Sequence, residues 1–430
     1  MSRRLVTILL LCLAVSGASA TSAAADAGRV ASAEAFVDSV GVNIHSTFLD
    51  TPYTRLDRVL EALDSLGVRH VRDGLLPPST EPGLKSWQQF YFSQLAAHRI
   101  DADLILGRPG DGVTSVPGLV GELGRLPSGF VGSVEGPNEY DLSGRARWPA
   151  ELRAYQRRLY TEVRDRPSLV SLPVLAPSFG NPGNAWLPGD LGRWSDASNV
   201  HSYPGGLAPG AAGLRRGLGR RVGSGDASVF ATETGYHNAL DDQSGHPPVS
   251  ERVAGAYIPR LLLDSFASGI ERTYLYELVD EGPDPRGEDR ERNFGLFRYD
   301  FSPKPAAIAV GRLISLLVTP RSRVRSRPPE YRLSGDTGGV RRLLLRRANG
   351  SFALVLWRDT SIWDRDARRE LQGSDRRVRL GLGGPASIRA FSLLDPGVSS
   401  RRQRARGLRL TVPADDATVV VIGPRGLRRR

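Results

Sequence analysis

The sequence predicts an α/β fold, a (β/α)8 barrel of the TIM type, with a C-terminal antiparallel β-sandwich domain. Three observations predict it. Eight short β-rich runs alternate with amphipathic helical stretches between residues 38 and 320. The ends of those runs collect polar and ionisable groups. From Arg321 onward the helical periodicity gives way to short strand-like runs bounded by Gly, Pro or Asp. A doubly wound open sheet is the structural rival, but such sheets usually have fewer strands and the chain carries no Gly-rich phosphate loop.

The N-terminus reads as a signal peptide over residues 1–20. Arg3 and Arg4 precede the apolar run LVTILLLCLAV, and Ala18-Ser19-Ala20 offers small residues for cleavage. The chain is therefore expected to be exported. Its one cysteine, Cys12, lies in that segment, so the processed chain is expected to have no disulfide and no thiol ligand or nucleophile. No later run reaches the roughly 18 apolar residues that span a membrane.

After a small-residue linker over 21–37, the predicted strands are Val40–His45, His70–Leu75, Ala102–Gly107, Ser133–Glu139, Pro173–Phe179, Asn199–Tyr203, Val229–Tyr236 and Arg272–Leu278. Leu56, Val59, Leu60, Leu63 and Leu66 recur at helical spacing between the first two, and Gly67 ends that run. Further helices are predicted over Lys85–Arg99, Trp148–Asp165 and Val249–Ser268, and a last one starts near Pro303 or Pro305. A parallel strand pair needs such a crossover, because a two-residue hairpin cannot return the chain to the same end of the sheet.

The second domain, 321–430, is predicted from two strand-like runs joined at Asn349-Gly350, a strong hairpin signal, and from VRLGLGG, SIRAFSLLD, LRLTVP and ATVVVIG. It carries 26 Arg against 10 acidic residues, whereas residues 1–320 carry 32 basic against 36 acidic ones. The net charge of +12 thus belongs to the C-terminal domain. A solvated basic face is one reading, and attraction to an anionic cell-surface polymer is the other. No basic motif interleaved with aromatic residues points to nucleic acid.

Active sites of (β/α)8 barrels form at the C-terminal strand ends, and here those ends carry Asn43, His45, Arg72, Asp73, Asn138, Glu139, His201, Tyr203, Glu233, Tyr236, His237, Tyr276, Glu277 and Asp280. Taken singly, each has a structural reading as a hydrogen-bonded or ion-paired residue. A ring of them at one barrel mouth is costly to bury unless it does chemistry. Glu139 on the fourth strand and Glu233 on the seventh would face each other across that mouth. Retaining glycoside hydrolysis needs two carboxyls about 5 to 5.5 Å apart, one to protonate the leaving oxygen and one to attack the anomeric carbon. Mutual repulsion would separate their pKa values and leave Glu139 neutral beside an ionised Glu233.

The motifs GPNE (136–139) and ATETGY (231–236) resemble the acid/base and nucleophile motifs of clan A retaining glycoside hydrolases, and the layout is similar to family 39 and family 5 members with a C-terminal β-sandwich. The resemblance implies Glu139 as general acid/base and Glu233 as nucleophile. It places Asn138 on the sugar 2-hydroxyl, Arg72 beside the nucleophile, and His201 and Tyr203 in position to orient nucleophile or sugar. Two departures stand out. Pro137 precedes Asn138 where the clan commonly has an aromatic or small residue and Tyr140 follows Glu139 where it commonly has Pro, and the eighth strand ends in YLYELVD where clan members often place a stacking Trp. His45, Tyr236 and Glu277 are the further candidates for lining the sugar site, and Trp148, Trp186 and Trp194 are candidates for stacking. No cofactor and no metal are expected. The function expected is that of an exported glycosidase on a β-linked poly- or oligosaccharide. A non-catalytic surface glycan-binding barrel is the alternative. A metal-dependent hydrolase built from His45, His201, His237 and Asp73 is a third reading, for which no H-x-H or H-E-x-x-H spacing is present.

Overall fold

The computed structural model describes residues 30–107, 112–210, 228–324, 326–395, 397, 399–400 and 402–424. The predicted signal segment 1–20 and the first part of the predicted linker lie outside the described residues. Residues 31–430 form one compact unit. Strand β1 (Ala31–Ser32) and helix α1 (Ala33–Asp38), the helix capped by the Ser32 hydroxyl, occupy residues 31–37 of the segment read as linker on sequence and the first residue of the predicted barrel.

The barrel strands are β2 (Val40–Asn43), β3 (His70–Leu75), β4 (Asp101–Leu106), β5 (Val131–Glu135), β6 (Ala197–His201), β7 (Ser228–Thr234) and β8 (Ile270–Leu275). They pair in parallel in the order β5-β4-β3-β2-β8-β7-β6. The predicted fifth strand, Pro173–Phe179, is not a continuous strand. Only Val174 and Leu175 pair, in single bridges to Val134 of β5 and Ala197 of β6. Those bridges span the gap between the two outer strands. Pro173 removes one donor from that segment and Pro177 another, so a longer ladder cannot form.

The helices are α2 (Leu56–Leu66), α3 (Pro82–Ala97), α4 (Val116–Leu123), α5 (Trp148–Arg164), α6 (Glu251–Ala267) and α7 (Pro305–Leu317); all but α4, which stands in a Gly/Pro-rich segment where no helix is predicted, follow the sequence closely. Helix α2 buries Leu56, Val59, Leu60, Leu63 and Leu66, and Gly67 ends it in the left-handed region at φ 73°. Inside the barrel, Gly41 leaves room for a ring: a Cβ there would come 2.4 Å from Tyr274.

The C-terminal strands are β9 (Tyr331–Gly335), β10 (Val340–Arg346), β11 (Phe352–Arg358), β12 (Trp363–Asp364), β13 (Arg369–Glu370), β14 (Arg376–Ser392), β15 (Gln403–Val412) and β16 (Thr418–Ile422). Asn349-Gly350 makes the predicted hairpin between β10 and β11, with Arg346 opposite Phe352. The two predicted runs VRLGLGG and SIRAFSLLD are halves of one strand, β14. Its Gly-Gly-Pro reads as a turn on sequence but is a register shift between Gly381 and Ala386, the kind of bulge at which a strand bends and changes partners. Upstream of it β14 pairs with β9, downstream with β16, and β15 accompanies both halves. The domain is therefore an antiparallel sheet continuous through β14, which β1 joins in parallel at its edge.

One apolar core runs through both parts of the chain, from Val253, Leu261 and Leu313 of the barrel helices to Trp357, Ile362 and Val419. Polar ties reinforce it. The Tyr257 hydroxyl accepts from the Ile362 N–H at 2.9 Å, and buried Arg260 donates to the carbonyls of Thr360 and Ala414.

Candidate active site

Strand alternation turns Arg72 of β3 into the barrel, where it is 2% exposed. A guanidinium so buried needs partners for all its donors. Its Nε donates to Glu135 Oε1, its Nη1 to Glu233 Oε1 at 2.6 Å and to Asn43 Oδ1 at 3.0 Å, and its Nη2 to Asn138 Oδ1 at 2.7 Å. Arg72 thus sets the positions of residues from three other strands and one loop. Asp103 of β4 sits 4.0 Å from it. Burial, and then the nearby charge of Glu135, push the Asp103 carboxyl well above its usual range, so it sits beside Arg72 as a neutral acid.

Strand β5 ends at Glu135, four residues before the end the sequence predicts. Glu139 therefore stands on the following loop, not on the strand. Its φ of 43° puts it in the left-handed region, which a Glu enters at a cost of roughly 1–2 kcal/mol. The turn is held by its N–H, which donates to Ser178 Oγ at 3.2 Å, and by its carbonyl, which accepts from Leu142 N–H at 2.9 Å. The Gly136-Pro137 pair thus ends the strand and starts the turn that swings Glu139 over the barrel mouth.

The two expected carboxylates do meet. One oxygen each of Glu139 and Glu233, together with a His201 ring nitrogen, lie within 4.8 Å of one another. His201 Nδ1 is 2.7 Å from Glu139 Oε1 and 3.5 Å from Glu233 Oε2. The Tyr203 hydroxyl donates to Glu233 Oε2 at 2.7 Å. Burial pushes the Glu233 carboxyl up, but the nearby imidazole of His201, the Arg72 guanidinium and the hydrogen bonds from Tyr203 and Arg72 outweigh it. The carboxyl ends below its usual range, which keeps it ionised at neutral pH. The Glu139 side chain is 23% exposed and that of Glu233 9%, so the first has the readier access to solvent.

Beneath the pair is a polar layer that attention to strand ends alone misses. His201 Nε2 meets Thr232 Oγ1 at 2.9 Å, the Thr232 hydroxyl donates to Asn199 Oδ1 at 2.9 Å, and Asn199 Nδ2 donates to Glu135 Oε2 at 2.7 Å. Glu135, Asn199 and Thr232 are fully buried. Alternation puts Glu135 on the same face as buried Ser133 of β5, but it does not reveal the layer, since Thr232 adjoins Glu233 on β7 where the register with β8 shifts.

These groups open into a cavity of about 950 Å³ whose lining includes Asn43, His45, Arg72, Asp73, Asn138, Glu139, His201, Tyr203 and Glu233. Its apolar walls include Phe48, Leu142, Tyr276 and Phe294, of which Tyr276 alone stands among the strand-end residues named on sequence. Phe48 is 41% exposed and stacks on His45 with ring centroids 4.4 Å apart. The three tryptophans considered for stacking are not in the lining. Trp148 packs edge-on against Phe179, Trp194 lies under Arg153, and Trp186 stands 75% exposed.

Two other expected lining residues lie elsewhere. Tyr236 is buried against Tyr257 and donates its hydroxyl to the Leu207 carbonyl, because β7 has ended at Thr234 and alternation no longer directs its side chain inward. Glu277 is fully buried beneath the cavity, follows a cis peptide after Tyr276, accepts from the Tyr53 hydroxyl at 2.8 Å and lies 3.1 Å from His45 Nε2. Burial, opposed in part by the Tyr53 hydrogen bond, pushes its carboxyl well above the usual range. Its contact is therefore with His45, which does line the cavity. His237 bonds to the His246 carbonyl and Asp73 accepts from the N–H groups of Ser46 and Gly74. The four residues considered for a metal thus do not converge. The ligand-type triads among the described residues are Glu139–His201–Glu233 and His45–Glu277–Glu281.

No protein-family model and no curated protein sequence matches the chain. Solved structures do. A family 39 glycoside hydrolase from Bacteroides cellulosilyticus superposes with a TM-score of 0.62 at 16% identity, covering 92% of this chain and 82% of that one. A GH39 enzyme from Xanthomonas axonopodis pv. citri gives 0.61 at 15% identity over 90% of this chain and 94% of that one. A monomeric β-xylosidase from Caulobacter crescentus gives 0.57 at 13% identity over 90% and 96%. The coverage includes both the barrel and the C-terminal sheet, so the chain shares the whole two-part fold of these enzymes.

Proposed function

We propose that the chain is an exported retaining glycoside hydrolase acting on β-glycosidic bonds of a poly- or oligosaccharide, with Glu139 as general acid/base and Glu233 as nucleophile. The observation that carries this reading is the approach of the two carboxylates to within 4.8 Å at the mouth of the barrel, near the roughly 5–5.5 Å spacing of retaining enzymes and short of the roughly 6.5–9.5 Å that leaves room for a water in inverting ones. The carboxylates also differ in environment as the two roles require. Glu233 is held ionised between Arg72 and Tyr203, while Glu139 is the more exposed and shares a hydrogen bond with His201.

In the first step a Glu233 oxygen attacks the anomeric carbon as the bond to the leaving oxygen breaks, and Glu139 gives that oxygen its proton. A glycosyl ester on Glu233 results. In the second step Glu139, now a carboxylate, takes a proton from water, the water oxygen attacks the anomeric carbon, and Glu233 departs with its charge restored. Asn138 turns its side-chain oxygen to Arg72 Nη2, which leaves its amide hydrogens to face the cavity, where they would donate to the sugar 2-hydroxyl. With no tryptophan in the lining, Phe48, Tyr276 and Phe294 are the rings against which a sugar would pack.

The test is turnover of aryl β-glycosides and β-linked polysaccharides by the processed chain, beside Glu233→Ala with and without azide. Rescue by azide, with a glycosyl azide of anomeric configuration opposite to the retained product, assigns the nucleophile. Azide rescue of a different carboxylate variant would overturn the assignment. Export rests on the N-terminal segment and is checked by N-terminal sequencing of the chain recovered outside the cell, which should begin just after Ala20.

A further inference from the structure

Pairing of β9, β14 and β15 concentrates arginine on one solvent face of the C-terminal sheet. Arg379 of β14 stands directly opposite Arg409 of β15 and opposite Ser334 of β9. Arg332 stands opposite Gly381, itself opposite Gly407, while Arg377 faces Thr411. Directly opposed residues share a face, and so do residues two apart on one strand. Arg332, Arg377, Arg379 and Arg409 are all exposed, while Val378, Leu380 and Leu382 fill the other face.

This arrangement has a cost within the molecule. Like charges directly opposed across a ladder are destabilising. Among the described residues, the carboxylate that pairs with an arginine of β14 is Asp336, on Arg376, and it lies beyond this face. Glu330 lies over Gly383 at one end. Next to the Arg379–Arg409 pair and beside Arg332, Gly381 and Gly407 leave a strip without side chains.

We propose that this face binds an anionic polysaccharide, its carboxylate, sulfate or phosphate groups engaged by the forked guanidinium donors of Arg332, Arg377, Arg379 and Arg409. The residues opposed on the face are Arg, Ser, Gly and Thr. It therefore lacks the aromatic platforms on which single-stranded nucleic acid stacks and the apolar side chains with which a surface enters a membrane. The choice of a glycan among polyanions rests on the carbohydrate reading of the barrel cavity. The surface would hold the enzyme on a charged polymer while the cavity acts on a neighbouring chain.

The test measures binding of the processed chain to fluorescent polygalacturonate and to heparin, which separate carboxylate from sulfate, with dextran and a DNA duplex as comparisons, at low and high salt. Arg379→Glu/Arg409→Glu should weaken binding to the preferred polyanion at least about tenfold at low salt, and high salt should release the wild type. Arg157→Glu/Arg158→Glu, the same charge change on exposed residues of α5, should stay within about twofold of wild type. Thermal melting checks that both variants fold. Equal losses in the two variants, or binding of dextran as tight as of the charged glycans, would overturn the proposal. Tighter binding of the duplex than of either polyanion would reassign the face to nucleic acid. Binding needs no turnover, so a chain that binds polygalacturonate but cleaves no glycoside would sink the hydrolase reading and leave this surface standing.

Discussion

His201 Nδ1 lies 2.7 Å from Glu139 Oε1, and the other ring nitrogen lies 2.9 Å from Thr232 Oγ1. Thr232 has one hydroxyl proton, and it goes to Asn199 Oδ1. Nε2 must therefore carry a hydrogen, and Nδ1 and Glu139 share a single proton between them. The acid of the proposed mechanism is thus tied through His201, Thr232 and Asn199 to Glu135 and so to Arg72, the residue that also holds Glu233.

Removing the acid should hurt most where the leaving group needs a proton. Glu139→Gln is expected to lower kcat/KM on alkyl β-glycosides by about 10²–10⁴-fold and to spare substrates with acidic phenol leaving groups. His201→Phe should show the same dependence in weaker form. A leaving-group series on both variants measures it, and equal losses across the series would remove Glu139 from the role of acid.

Arg72 is flanked by Glu135 and Glu233, so its loss leaves carboxylates buried without a countercharge. Arg72→Met should destabilise the chain by about 3–5 kcal/mol in urea unfolding. Adding Glu135→Gln should recover part of that loss, because it removes the carboxylate bound at Nε.

The His45–Glu277–Glu281 group predicts a pH dependence of stability. Burial, and then the charge of Glu277, hold the Glu281 carboxyl up to about 7 against its ordinary 4.5. Between those values the folded chain keeps a proton that the unfolded chain has lost. The contribution of Glu281 is therefore most favourable on the acid side and is lost as the pH rises through about 7. Glu281→Gln should accordingly raise stability at pH 8 relative to pH 4, by on the order of 1 kcal/mol once solvent screening is allowed for. Unfolding free energies of both proteins across that range are the measurement.

The shared core predicts that barrel and sheet unfold together. Urea unfolding followed by tryptophan fluorescence and by circular dichroism should give one coincident transition. Arg260→Ala, which strands the carbonyls of Thr360 and Ala414, should lower the unfolding free energy by about 1–3 kcal/mol without splitting the transition. Two separated transitions would mean that the sheet is an independent domain.

Local chemistry was enough to read much of this from the sequence. Gly67 stops α2, Asn349-Gly350 turns the β10–β11 hairpin, and seven of the eight predicted strands form where β-rich runs stand between helical periods, because each of these outcomes depends on a few adjacent residues. The Glu139 and Glu233 pair was legible for the same reason, since strand order around a barrel places the ends of the fourth and seventh strands across one mouth. Tertiary packing decided the rest. Pro173–Phe179 contributes only bridges, and Gly-Gly-Pro in β14 bends a strand where it could have ended one. Tyr236 and Glu277 left the cavity lining once the strand ends moved by a few residues, and the buried layer of Glu135, Asn199 and Thr232 became visible only when strands β5, β6 and β7 stood side by side. A hydrogen bond between residues 64 positions apart leaves no trace in the local pattern of either segment. It exists because the register of the sheet brings those positions into contact.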